Sequence, residues 1–422
     1  MKLSKIEVIL LTISLFGTLI FFGYHTLTGS VYGGAASDNS YISFMMIVDI
    51  IPLFLFIKFL FSKGNKNNVA PIIIVLMILT AIYGIGVGVS DINFKSLLAF
   101  STPAALIGIL IVKSNRGWYF AKLLEPIMLF LTIVGIASMR YLLVVRNLQD
   151  MGEEGIGTSS LSYHCGFAFA LNLYFLLFGN EMPERFKYAQ TTLYKYLSIL
   201  LLIVQFAVGL SSGGRGGFVL LLVSGVVMVF LRLAHRRGSS SRTVFTFFLL
   251  LMAGFVAVQF MPENIVGAMT TGSERTFSYI SKGGGIDTSE TSNRDVVYAD
   301  CIKSIEDSPI IGHGILMRGT PFYGDRPHNI FFEVLLQGGI LYLMLFLAFI
   351  FSLFNKTKRL VRQGHDLFIV PVALYPMVEL MFSGSYIGTD LFWFVISYIL
   401  CCEMPRQQRE RTQILSGNSQ PA

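Results

Sequence analysis

Apolar residues in this chain fall into blocks of about 18 to 25, the length at which an α-helix crosses a hydrocarbon core. No other feature restricts the fold as strongly. Composition points the same way: 54% of the 422 residues are hydrophobic and 14% are charged, with 37 Phe. A soluble domain carries roughly a quarter charged residues. The expectation is an all-α polytopic membrane protein. In such a protein lysine and arginine mark cytoplasmic loops, so the formal charge of +7 is no argument for a nucleic-acid partner.

About twelve spans are expected, near 8–26, 42–61, 70–90, 97–112, 123–139, 161–179, 196–212, 216–233, 243–261, 329–353, 366–384 and 387–403. The first block has a charged start and no small-residue cleavage site, which reads as an uncleaved span. The fourth contains Pro103 and also suits a re-entrant segment. No internal repeat is visible. With the N-terminus cytoplasmic, 22 of the 32 basic residues fall on inside segments, among them Lys58, Lys113, Arg185, Arg236 and Arg359. That bias places both termini inside. The division is then 1–261 with nine spans, an external loop 262–328, three spans in 329–404 and a tail 405–422.

Cysteine offers no framework. Cys165, Cys301, Cys401 and Cys402 have no metal-ligand spacing, and buried thiols are expected, with a Cys165–Cys301 bridge as the alternative. Asp49, Glu125 and Glu379 fall within spans and read as structural, with Lys58 and Lys122 near the first two. Within the external loop, 294–309 forms a short amphipathic helix with Val297, Cys301, Ile302 and Ile305 on one face. Ser292 with Asp295 resembles a capping box, and Pro309 closes the helix.

The segment SSGGRGGF (211–218) puts Arg215 among four glycines at the outer end of a span. Arg294 opens the external helix, and His328 stands at the outer start of the tenth span. Three polar residues distant in sequence thus share one face, each at a helix N-terminus, where unpaired N–H groups attract anions. Arginine adds a planar fork that fits phosphate oxygens. The glycines allow a sharp turn and a close backbone approach to a ligand. Each residue also has a plain reading. Arg215 suits an interfacial anchor, Arg294 a solvated helix residue, and His328, Asp325 or Arg326 a helix cap. There is no GxxxxGK[ST] loop, hence no sign of nucleotide hydrolysis.

Three motifs in order resemble the bacterial O-antigen ligase and surface-polysaccharide polymerase superfamily. They are SSGGRGGF, then SNRDVVYADCIKSIEDSPIIGHG (292–314), then HNIFFEVLLQGGILYL (328–343). Tyr298 departs from the pattern, where Trp is common. The resemblance implies a GT-C-like membrane glycosyltransferase of the inner membrane, acting at the periplasmic face without cofactor or metal. Its donor would be a glycan linked through diphosphate to undecaprenol, and its acceptor a glycan or lipid A core. A chain-length regulator protein would be a partner. On this reading Arg215 and Arg294 bind diphosphate and stabilise the charge developing on it. His328 serves as the base that takes the acceptor proton, or binds diphosphate as imidazolium. Arg140, Arg146, His164, Asn329 and Arg326 are secondary candidates. Extension of lipid-linked repeat units is the leading expectation. Ligation of the polymer to lipid A core is the closest alternative, and a lipid-linked glycan flippase a more distant one.

Overall fold

The computed structural model describes residues 2–28, 39–62, 101–144, 158–212, 214–235, 294–322, 326–364 and 366–402. The expected spans near 70–90 and 243–261 lie outside these residues, as do Arg146 and the whole of the loop 262–293 with Ser292. The described residues form twelve α-helices: α1 (Lys5–Leu15), α2 (Gly17–Thr28), α3 (Asn39–Phe61), α4 (Thr102–Lys113), α5 (Gly117–Val144), α6 (Thr158–Phe178), α7 (Thr192–Ser211), α8 (Arg215–His235), α9 (Arg294–Asp307), α10 (Ile330–Arg362), α11 (Ile369–Phe382) and α12 (Asp390–Cys401).

Six of these helices are long and apolar enough to cross a membrane, and α1 with α2, bent by 69°, makes a seventh if counted as one span. The chain is a multi-pass membrane protein. Three expected spans are shorter than anticipated. Helices α4, α11 and α12 run for 12, 14 and 12 residues, about 18 to 21 Å at 1.5 Å per residue. Much of their surface is buried within the bundle, with Met377 of α11 and Leu400 of α12 exposed. Residues Pro103 to Ile111 of α4 are all buried, and Gly108 lies directly against Ser397 and the Phe394 carbonyl of α12. Backbone sheltered in this way need not reach across the bilayer.

Helix α6 is the hub, with α5, α7, α8 and α11 packed around it. Its sequence is apolar on every side, as suits a helix without a free face. Leu161, Phe167, Leu171 and Phe175 are all at most 1% exposed. The cysteines Cys165, Cys301, Cys401 and Cys402 are all free and buried, and no Cys165–Cys301 bridge forms.

One end of the bundle collects the basic side chains. Arg185 pairs with Glu125 at 2.7 Å, its guanidinium between the rings of Phe175 and Tyr194. Arg232 pairs with Glu181, Lys122 lies over Phe186, Arg116 Nε donates to the Leu3 carbonyl at 2.7 Å, and Lys356 caps the Leu400 carbonyl at 2.9 Å. Glu125 is therefore structural, with Arg185 as its partner rather than Lys122. The partner of Lys58 is Glu7, at 2.8 Å, while Asp49 accepts from Ser14 at 3.0 Å.

Helix α10 departs most from its expected span at 329–353. Gly339 breaks it with φ 62° and ψ −161°, splitting it into two segments. Beyond the break, exposed large apolar side chains run from Ile340 through Leu345 and Phe351 to Phe354. Before it, Val334 and Leu336 are buried, and the segment packs against α9. The surface suited to lipid thus begins at Ile340, and His328 stands at the far end of the segment before the break.

Candidate functional site

Arg215 is the first residue of α8 and Arg294 the first of α9. A cation there opposes the helix macrodipole, which favours anions at that end by roughly 0.3–1 kcal/mol. The two arginines therefore add to the positive field of their own helix ends instead of relieving it.

The glycines after Arg215 have a packing role. A Cβ on Gly216 would collide with the ring and hydroxyl of Tyr163, and one on Gly217 with Ser162. They let α8 press against α6. Gly213 lies outside the described residues.

His328 adopts φ 52°, a left-handed conformation uncommon outside glycine and costing of order 1 kcal/mol or more. From that turn the exposed imidazole sets Nδ1 3.0 Å from the Ser383 carbonyl oxygen. A carbonyl only accepts, so in the neutral ring Nδ1 carries the proton and Nε2 keeps its lone pair. The cap of α10 is neither His328 nor Arg326. Asn329 takes that place, its Oδ1 accepting from the N–H groups of Phe331 and Phe332 at 3.0 and 3.4 Å. Its Nδ2 donates to the Met381 carbonyl at 3.3 Å. Both residues of the His-Asn pair thus grip the end of α11.

Helix α9 runs parallel to the first segment of α10. Tyr298 meets Phe332 with ring centroids 4.9 Å apart, and Cys301 and Leu336 share a cluster with Met317 and Phe322. Further along both segments, the Pro309 carbonyl accepts from Ile340 N at 2.9 Å. This register puts the first residue of α9, Arg294, at the same end as His328. The face of α9 is set by Val297, Cys301 and Ile305 as expected, but Ile302 is 50% exposed and points away.

The two glycine motifs interlock where α10 breaks. The loop after α9 supplies carbonyls of Pro309 and Ile310 to the N–H groups of Ile340 and Leu341, at 2.9 and 3.4 Å. In return the freed Leu336 carbonyl accepts from His313 N at 2.7 Å. Gly312 and Gly339, both with positive φ, permit the contact, since a Cβ on either would strike backbone of the other strand.

The secondary candidates separate. Arg326 is half-buried and acts electrostatically on Glu333. His164 is 4% exposed, with its ring 6.5 Å from Phe22, and so faces the bundle interior rather than the site. Arg140 lies on α5, and its side chain, like that of Arg294, is outside the described residues. Sequence reasoning overlooked a buried polar row on α10. Glu333 accepts from Ser385 Oγ at 2.6 Å, and Gln337 accepts from Tyr386. The spacing of Asn329, Glu333 and Gln337, four residues apart in an apolar helix, was the available signal. Among the described residues no group of three or more His, Cys, Asp or Glu could hold a metal ion.

Residues 198–347 match the family model described as O-antigen ligase. That match supports the O-antigen ligase and polymerase superfamily. The matched segment runs from α7 into α10 and contains Arg215, Arg294, His328 and the interlocked glycines. The match spans that segment and not the chain as a whole; the family it points to is one of glycosyltransferase-like ligase or polymerase activity on a lipid-linked glycan. No curated protein and no solved structure matched the chain.

Proposed function

We propose that the protein is a glycosyltransferase that extends undecaprenyl-diphosphate-linked repeat units into a surface polysaccharide at the periplasmic face of the inner membrane. The observation that supports the reading is the link from the start of α8 to the start of α10: Tyr163 lies against Gly216, beside Arg215, and meets Ser383, whose carbonyl holds His328, while α9 opens on Arg294 and lies alongside α10. An acceptor hydroxyl oxygen forms the new bond to the anomeric carbon. The bond from that carbon to the diphosphate oxygen breaks, and its electron pair leaves on the lipid diphosphate. Arg215 and Arg294 meet that growing charge with fixed positive groups. The hydroxyl proton passes to Nε2 of His328, whose tautomer the Ser383 carbonyl selects. Attack from the face opposite the leaving group inverts the anomeric centre.

The ligase reading, transfer of finished polymer to lipid A core, is favoured by the description of the matched family. Both readings use the same three side chains. Purified protein given a lipid-linked repeat unit, with and without lipid A core, separates them. Longer lipid-linked chains without core support the polymerase. Product only on core supports the ligase, and no product with either acceptor removes both.

A further inference from the structure

We infer that Tyr163 is a positioning residue that holds the Arg215 and His328 elements in register; the inference rests on the transfer reading above. Tyr163 lies on α6 and is 3% exposed. Its ring fills the notch left by Gly216, the residue after Arg215. Its hydroxyl is 3.1 Å from Ser383 Oγ, and the carbonyl of that same Ser383 holds His328 Nδ1 at 3.0 Å. One side chain therefore touches both the first turn of the helix that brings the cation and the turn that orients the imidazole. Tyr375 steadies the ring from the other side, edge-on at 6.2 Å. Ser383 in turn is tied to α11 through its N–H and the Glu379 carbonyl, at 2.8 Å.

The spacing matters because leaving group and acceptor stand on opposite sides of the anomeric carbon. Cation and base must hold their separation for in-line attack, and a shift of about 1 Å costs on the order of 100-fold. Being buried, Tyr163 acts through its neighbours. Phenylalanine would keep the ring beside Gly216 and remove the hydroxyl that meets Ser383.

The test uses the full chain purified in lipid nanodiscs. Tyr163→Phe should lower kcat for transfer from a lipid-linked repeat unit about tenfold, with KM for that donor and the thermal midpoint unchanged. Ser383→Ala should lose a similar factor through its missing hydroxyl, and the double variant should lose little more, because the two act through one bond. A second readout needs no turnover. Diethyl pyrocarbonate modification of His328, followed by the mass of its peptide, should be faster in Tyr163→Phe, since a loosened turn frees the ring from its carbonyl. Wild-type kcat in Tyr163→Phe, or unchanged modification of His328, overturns the inference. If the wild-type chain transfers nothing, the transfer reading falls while the modification rate still decides the role of Tyr163.

Discussion

At the scale of single residues, the three side chains differ in what they ask of a substrate. Arg215 and Arg294 bring charge where their helices are already positive, so their replacement should leave the fold intact and remove transfer. Arg215→Ala and Arg294→Ala are each expected to lower the transfer rate by about 100-fold or more, at unchanged membrane level on an immunoblot. Lysine should restore only part, lacking the bidentate fork. Normal-length polymer from both alanine variants would make the arginines anchors. For His328 the sign follows from its tautomer. A base must be unprotonated, so kcat should fall as pH is lowered and the imidazole takes up a proton. His328→Arg should then be as inactive as His328→Ala while still binding donor. Activity that instead rises on acidification, with partial function in His328→Arg, would make it a diphosphate ligand. The arginines and the histidine were visible in the sequence as charged or titratable residues at span ends. Ser383 and Tyr163 were not, because a serine before a glycine and a tyrosine in an apolar run carry no signal until the helices around them are placed.

At the scale of elements, the break in α10 is the feature with the most consequences. It ends one helical segment and begins another, and the loop after α9 supplies the hydrogen bonds that the break removes from the helix. A methyl group at Gly339 meets two penalties, a positive φ that alanine disfavours by about 1 kcal/mol and a collision with the Ile310 backbone. Gly339→Ala should therefore detach α9 from α10 without unfolding the bundle. Cys301 reports this. Its thiol is held up at about 12 by burial between α9 and α10, with Asp300 adding to the effect, so it is inert in the native joint. In Gly339→Ala its alkylation should accelerate, while alkylation of Cys165 in the core of α6 stays slow. Equal rates at Cys301 in both proteins would show that the joint tolerates the methyl group. The glycine pair is legible as a motif, but its purpose is not, since the loop that needs the space lies more than twenty residues earlier.

At the scale of the whole molecule, charge and geometry divide the bundle into two ends. Arg116, Lys122, Arg185, Arg232 and Lys356 gather at one, while Arg215, Arg326 and His328 gather at the other. On the proposed reading the basic end is cytoplasmic, and the proposed transfer site then faces the periplasm. A cysteine at Arg359 should resist a membrane-impermeant maleimide in intact spheroplasts, whereas one at exposed Glu306 should react. The opposite pattern would invert the molecule and move the proposed site to the cytoplasm. Hydropathy alone determined that this chain is a helical multi-pass membrane protein, because blocks of apolar residues of that length have few other fates. The order of motifs pointed to a superfamily resemblance that the match over 198–347 supports, and the bias of lysine and arginine gave the expected orientation. Other features were decided only by packing. They include the shortness of α4, α11 and α12, the partnership of Glu125 with Arg185, the break at Gly339, and the tie from Tyr163 through Ser383 to His328. Each depends on a contact between residues far apart in the chain, and such a contact leaves no period or spacing in the sequence to read.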